Sequence, residues 1–316
     1  MQQQKLVSTE PRFSYLDDEQ RGFRICASAK VFTEASIEAD DGMPLSVLQA
    51  GVPGRPVVLL VNALGVSCLF LAEIARRLAT TYHVITWESR GLPNELALPE
   101  HADLSVERHA RDAAAILACE RVQPKAVVAY CAGANVAAYA LTRRMMNAER
   151  LCIISPSMHM GADLAQTDYQ RTMLPLWEKI AASGPRYAAL VRVLLQQGAR
   201  PEAGTIDYEL FCLNNLPFRS NESTYRYARL QAECLRVDWP TLLGEIRLPT
   251  LVLHGDEDDM IHAETSAAVA RHIAGAALRT IPAGHFAVYT SSALHDEVAT
   301  FLSAAEAPRV QAGGIR

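Results

Sequence analysis

The stretch 126–134, AVVAYCAGA, constrains what this chain can fold into more than any other. Ala126, Val127, Val128 and Ala129 form a short apolar run of strand length. Tyr130-Cys131-Ala132-Gly133-Ala134 follows, and helical sequence continues from Asn135 to about Met146. Ala129 stands two residues before Cys131 and Gly133 two residues after it. That small-x-Cys-x-small spacing is the pattern of a nucleophile elbow, with cysteine where serine usually stands. A strand that turns this sharply into a helix strains its central residue outward, and bulk at 129 or 133 would strike neighbouring backbone. Cys131 then meets a helix N-terminus, where the backbone dipole favours an anionic sulfur. The competing reading is a structural cysteine at a strand end, because free cysteine is among the most buried residue types.

Strands and helices alternate around this unit. Residues 32–38 and 45–49, with Asp40-Asp41-Gly42 between them, read as a hairpin. The run 57–61, VVLLV, is apolar on both faces, as in the middle of a parallel sheet, and ends in Asn62-Ala63-Leu64-Gly65. A helix over 68–80 precedes a strand over 83–87 that ends in Glu88-Ser89-Arg90-Gly91. A helix over 105–121 opens on Ser105 as its cap, and 151–154 is a further strand. The alternation then stops. Helical stretches at 173–182, 185–197, 206–214 and 224–237 follow, separated by Gly184, Gly198, Pro201, Pro217 and Pro240. It resumes with a strand over 250–253, an acidic turn over 255–259, a helix over 262–273, a strand over 278–281 and a last helix over 291–305. This order implies right-handed crossovers and an α/β fold with a mostly parallel central sheet flanked by helices. The predicted organisation is a polar leader over 1–30, a core over 31–157 and 246–306, a helical cap over 158–245 and a flexible tail over 307–316. The leader is read as covering a sheet edge or the mouth of a site.

Composition narrows the function. A length of 316 residues buries a large core, and a net charge of -5 with no basic patch argues against a nucleic-acid partner. The N-terminal sequence has no apolar signal segment, and the longest apolar runs are far too short to span a bilayer, so no membrane partner is expected. The seven cysteines are scattered, without CxxC or Cys/His pairing. They fit a reducing, cytoplasmic compartment and neither a disulfide framework nor a metal site. No cofactor motif is present.

These segments together resemble the α/β-hydrolase fold with a helical cap, over roughly residues 32–305. The family's order of nucleophile, acid and histidine falls here on Cys131, Asp258 and His285. Asp258 stands three residues after Gly255 in HGDEDD, in the register of the family's G-x-x-D turn, with Asp256 and Asp259 as rivals. His285 stands in AGHF, matching the late G-H turn. Asn62-Ala63-Leu64-Gly65 takes the place of the His-Gly oxyanion loop, so the resemblance implies backbone N–H donors at Leu64 and Ala132. Glu88-Ser89-Arg90-Gly91 matches the family's D-x-R-G turn with Glu for Asp, and Arg90 is read as an ion-pair partner. The elbow Tyr-Cys-x-Gly is similar to that of dienelactone hydrolases, which are shorter and lack such a cap.

The resemblance implies a Cys-His-Asp triad that forms an acyl-cysteine. Sulfur attacking a thioester gives another thioester, still reactive toward other nucleophiles, so the first reading is a thioesterase or acyltransferase. Its partner is a small acyl substrate, free or carrier-bound. An ester or lactone hydrolase is the second reading, and a ligand-binding protein without turnover the third. Asn62, Tyr130, Trp177 and Phe211 are the candidate substrate contacts. For the cap aromatics, packing of the insertion onto the body is the competing reading at helical spacing. His109, His254 and His262 are read as structural or solvent-facing.

Overall fold

A computed structural model of the protein describes residues 6–8, 30–90, 92, 102–161, 163–195 and 201–304. Its sheet contains β1 (Leu6–Ser8), β2 (Thr33–Glu38), β3 (Pro44–Ala50), β4 (Val57–Val61), β5 (His83–Trp87), β6 (Pro124–Tyr130), β7 (Arg150–Ile154), β8 (Thr250–Gly255) and β9 (Ala277–Ile281). The order across the sheet is β1-β2-β3-β5-β4-β6-β7-β8-β9. The pairs from β1 to β5 are antiparallel, and those from β5 through β4 to β9 are parallel. This is the mostly parallel α/β sheet expected from the alternation, in the arrangement that the resemblance to the α/β-hydrolase fold implied.

Helices cover both faces, which explains why the central strands are apolar on both sides. In β4, Val57, Leu59 and Val61 join one core and Val58 and Leu60 the other, following the two-residue period of a strand. The first core is closed by α2 (Val106–Glu120) and α3 (Gly133–Thr142), and by α9 (Ala263–His272) later in the chain. The second is closed by α1 (Ala72–Ala79) and by the C-terminal α11 (Ser292–Ser303), which follows the short α10 (Ala287–Thr290). Each fully buried Val or Leu contributes about 1.5–3 kcal/mol, so these double-faced strands anchor the fold.

Between β7 and β8 lie α4 (Asp168–Ser183), α5 (Pro185–Leu195), α6 (Ile206–Asn215), α7 (Asn221–Cys234) and α8 (Trp239–Leu243), with no strand among the described residues. Trp177, Ile180, Ala188, Val191 and Ala228 form a separate small core inside this segment. Tyr208, Cys212 and Leu213 pack into one main core, and Leu230, Cys234 and Trp239 into the other.

Local differences from the predicted elements have physical causes. The helix expected over 68–80 starts as a 3-10 turn, Cys68–Leu71, capped by the Ser67 hydroxyl and by the Glu88 carboxylate on the Cys68 N–H. The helix after the elbow ends at Thr142, and Arg144 adopts φ 56°, a left-handed conformation that closes it. α4 begins five residues earlier than expected, because Thr167 and Gln170 form a capping box that nucleates it, and it runs through Pro175. From the leader, Leu6–Ser8 pairs with β2 and covers the sheet edge. The remainder of the leader up to residue 29 and the tail over 307–316 lie outside the described residues.

Arg90 is the ion-pair residue its motif suggested. Its guanidinium holds Asp112 through Nε and Nη2 at 2.6 and 2.7 Å and Asp41 through Nη1 and Nη2 at 2.5 and 2.9 Å. Asp112 also pairs with Arg108, and its side chain is 0% exposed. Removing the shared anion takes away the fully buried partner of Arg90 and Arg108 and leaves them to the partly exposed Asp41 and Asp40. Asp112→Ala is therefore expected to lower folding stability by about 3–5 kcal/mol, read as a drop in the urea midpoint. A midpoint within experimental error of the parent would contradict it.

Candidate active site

The elbow has the geometry its spacing demands. β6 ends at Tyr130, Cys131 takes φ 52°, and α3 starts at Gly133. The Cys131 N–H donates to the Ile154 carbonyl at 2.9 Å, which fixes the turn to β7. A Cβ on Gly133 would stand 2.4 Å from the carbonyl oxygens of Val61 and Asn62, so only glycine fits where the elbow meets the loop after β4. Cys131 is half-buried and packs against both main cores.

Asp258 and His285 are brought together from the turns after β8 and β9. Asp258 Oδ2 lies 2.9 Å from His285 Nδ1, and both side chains are buried. Asp258 Oδ1 also accepts the N–H groups of Met260 at 3.0 Å and Ile261 at 2.8 Å. Of the neighbouring acids, Asp256 instead accepts the Ala283 N–H at 3.2 Å, which ties the two turns together. They approach so closely that a Cβ on Gly255 would sit 2.1 Å from the Ala283 carbonyl oxygen.

The electrostatics couple all three groups. For His285, burial opposes the charged ring, but the negative charge of Cys131 and hydrogen bonds to Asp258 and Cys131 outweigh it, raising the pKa to about 10. For Asp258, burial pushes the carboxyl upward, yet His285, the Ile261 N–H and the Ser155 hydroxyl hold it below the usual carboxylate value. Ser155, itself at φ 43°, sits at the end of β7.

The loop after β4 adjoins the elbow. Among the described residues no backbone carbonyl takes the N–H of Leu64 or of Ala132. Asn62, expected as a substrate contact, spends its Nδ2 on the Val66 and Ser67 carbonyls at 3.0 and 2.9 Å, so this nitrogen shapes the loop from within. Tyr130 is also placed differently from that expectation. It is buried, and its hydroxyl donates to the His285 carbonyl at 3.2 Å, supporting the histidine turn. Trp177 is fully buried in the core of the inserted segment, stacked on Phe218 at 5.9 Å and edge-on to Tyr227 at 5.2 Å. Phe211 packs at the margin of a main core. For these two aromatics, packing explains the position.

Two other residues of the inserted segment, Tyr169 and Tyr227, lie within electrostatic range of Cys131. Burial, followed by the charge of Cys131, raises the Tyr169 phenol to about 12, and Tyr227 is raised by burial, by Tyr169 and by Cys131. Tyr169 carries no local signal, since it lies in the first turn of α4, before the helical spacing that becomes legible at residue 173. His109 is buried with its pKa lowered by desolvation, His254 bonds Ser266 at 3.0 Å, and the His262 ring caps α9.

Residues 58–300 match the sequence profile of the Alpha/beta hydrolase family, more than half of the chain, and the chain belongs to that family. Membership makes it an enzyme of the hydrolase class. A hydrolase from Pseudomonas aeruginosa PA01 has a similar structure, with TM-score 0.67 and 21% identity over 86% of this chain and 98% of that one. The enol-lactonase from Burkholderia xenovorans LB400 gives TM-score 0.65 and 19% identity over 84% and 98%. The 2-hydroxy-6-oxo-6-phenylhexa-2,4-dienoate hydrolase from Rhodococcus sp. strain RHA1 gives 0.65 and 16% over 86% and 98%. At these identities the likeness is one of fold. No curated protein matches the sequence. No helix among the described residues is long and apolar enough to cross a membrane.

Proposed function

We propose that the protein is an acyl-transfer enzyme working through an acyl-cysteine on Cys131, with a hydrophobic acyl thioester or ester as substrate, free or carrier-bound. The observation that carries this reading is a half-buried elbow cysteine coupled to the buried Asp258–His285 pair. With Nδ1–H given to Asp258, His285 has Nε2 left for the sulfur. His285 Nε2 takes the thiol proton as the Cys131 sulfur attacks the acyl carbonyl carbon, and the carbonyl electron pair moves to oxygen, toward the N–H groups of Leu64 and Ala132. Collapse re-forms the carbonyl and expels a thiol or alcohol protonated by His285. Water or another nucleophile, deprotonated by His285, then releases the acyl group. A cysteine nucleophile requires a reduced thiol, and the unpaired state of the described cysteines supports a cytoplasmic location.

Ester or lactone hydrolysis is the second reading, favoured by the elbow sequence and by the enol-lactonase among similar folds. Intact-mass spectrometry separates the two. The protein is incubated with short and long acyl N-acetylcysteamine thioesters, aryl esters and a lactone. A Cys131-dependent adduct that survives in water and clears on adding an amine or alcohol supports acyl transfer. Rapid lactone turnover without an adduct supports hydrolysis, and neither result overturns both.

The coupling has its own pH signature. Removing the sulfur in Cys131→Ala deletes a negative charge and a hydrogen bond that raise the His285 pKa, while the desolvation that lowers it remains. The ring titration followed by NMR is expected to move down from about 10. An unchanged titration would show that the sulfur does not interact with the ring.

A further inference from the structure

Two glutamines of the inserted segment reach the two loops on which the acyl-cysteine chemistry depends. Gln170 on α4 is buried, and its Oε1 accepts the backbone N–H of His262 at 3.0 Å and that of Thr167 at 3.1 Å. The Thr167 hydroxyl donates to the Met260 carbonyl at 3.1 Å. The acid turn is thus tied to α4 through the Met260 carbonyl and the His262 N–H, which flank the Ile261 N–H that holds Asp258 together with that of Met260. On the opposite side of the site, Gln231 Nε2 on α7 donates to the Leu64 carbonyl at 3.4 Å. The same Leu64–Gly65 peptide gives its N–H to the Ser89 hydroxyl at 2.9 Å, so it is held from both ends. Gly65 has φ +78°, and a Cβ there would meet the Tyr227 ring at 2.8 Å, which shows how closely α7 seats on this loop. Gln170 and Gln231 also line one pocket with Cys234.

We propose that Gln170 and Gln231 are positioning residues through which the inserted helices set the acid turn and the oxyanion loop. The proposal rests on the acyl-cysteine reading for its kinetic consequence. The physical reason is that both loops leave the sheet at strand ends, where no ladder hydrogen bonds continue, so tethers from the helices fix their geometry. An amide side chain suits both tasks, accepting from the acid turn and donating to the oxyanion loop. A catalytic group displaced by about 1 Å loses on the order of 100-fold in rate.

The test compares Gln170→Leu, Gln170→Glu and Gln231→Leu in the full chain, each checked for folding by circular dichroism. Readouts are kcat and KM on a thioester surrogate and the His285 titration by NMR. Gln170→Leu is expected to lower kcat about 10- to 100-fold with KM near the parent, and to move the His285 titration downward as Asp258 loosens. Gln170→Glu is expected to restore both, since a carboxylate accepts the same two N–H groups. Gln231→Leu is expected to lower kcat without moving the titration, because it touches only the oxyanion side. Should Gln170→Leu not fold, Gln170→Met keeps the length without the acceptor and carries the same expectation. Parental kcat in folded Gln170→Leu and Gln231→Leu overturns the proposal, as does a kcat loss in Gln170→Leu with an unmoved titration and no recovery in Gln170→Glu. A parent that forms no acyl-enzyme overturns the functional reading instead, while the His285 titration of Gln170→Leu still decides whether Gln170 positions the acid.

Discussion

Cys131→Ala is expected to form no acyl adduct with any thioester surrogate and to lose on the order of 10^4- to 10^6-fold in turnover. The size follows from the site's construction. The sulfur is the one nucleophile presented by the strained elbow at φ 52°, and nothing next to it in the chain can replace it: Tyr130 is buried beneath the histidine turn and Ala132 has no reactive group. Binding and the backbone N–H donors would remain, so a residual rate above that in water is expected. The measurement pairs single-turnover kinetics with intact mass. Turnover near the parental rate in the alanine variant would remove the covalent mechanism altogether and leave the fold untouched.

Asp258→Asn is expected to lower kcat by about 10^3- to 10^4-fold while Asp256→Asn stays much closer to the parent. The two residues lie in the same acidic turn but do different work. Asp258 accepts from His285 Nδ1 at 2.9 Å, whereas Asp256 accepts a backbone N–H from Ala283. An asparagine at 258 offers an N–H of its own to Nδ1 and thereby favours the proton on Nε2, the nitrogen that must take it from the nucleophile or the incoming water. The charge that supports the imidazolium is lost as well. The His285 titration should fall, because Asp258 contributes both a hydrogen bond and a charge that raise it. Steady-state rates of the two variants decide the matter. Equal losses would mean that integrity of the turn, and not the carboxylate on the histidine, sets the rate.

The sequence alone determined the layers of the fold, because its signals are local. The run VVLLV at 57–61 reads as a strand apolar on both faces, and the small residues Ala129 and Gly133 mark the elbow by spacing alone. The chain order of Cys131, Asp258 and His285 was legible through the resemblance to the α/β-hydrolase pattern, whose G-x-x-D and G-H turns stand here at 255–258 and 284–285. What a side chain in the inserted segment touches was not legible. Helical spacing reports that a face is apolar, but it does not report which body that face meets. Trp177 therefore turned out to pack inside the segment's own core, whereas Tyr169 and Tyr227 are the ones that feel the charge of Cys131. Among the three aspartates in HGDEDD, the motif register favoured Asp258, and the tertiary structure is what pairs it with His285, delivered by the turn after a different strand. Likewise, Asn62 could be placed in its loop from the sequence, but only the tertiary structure showed its amide turned inward to brace that loop. Contacts between distant loops are set by how helices seat on a finished sheet, and that seating is decided by packing across the whole molecule.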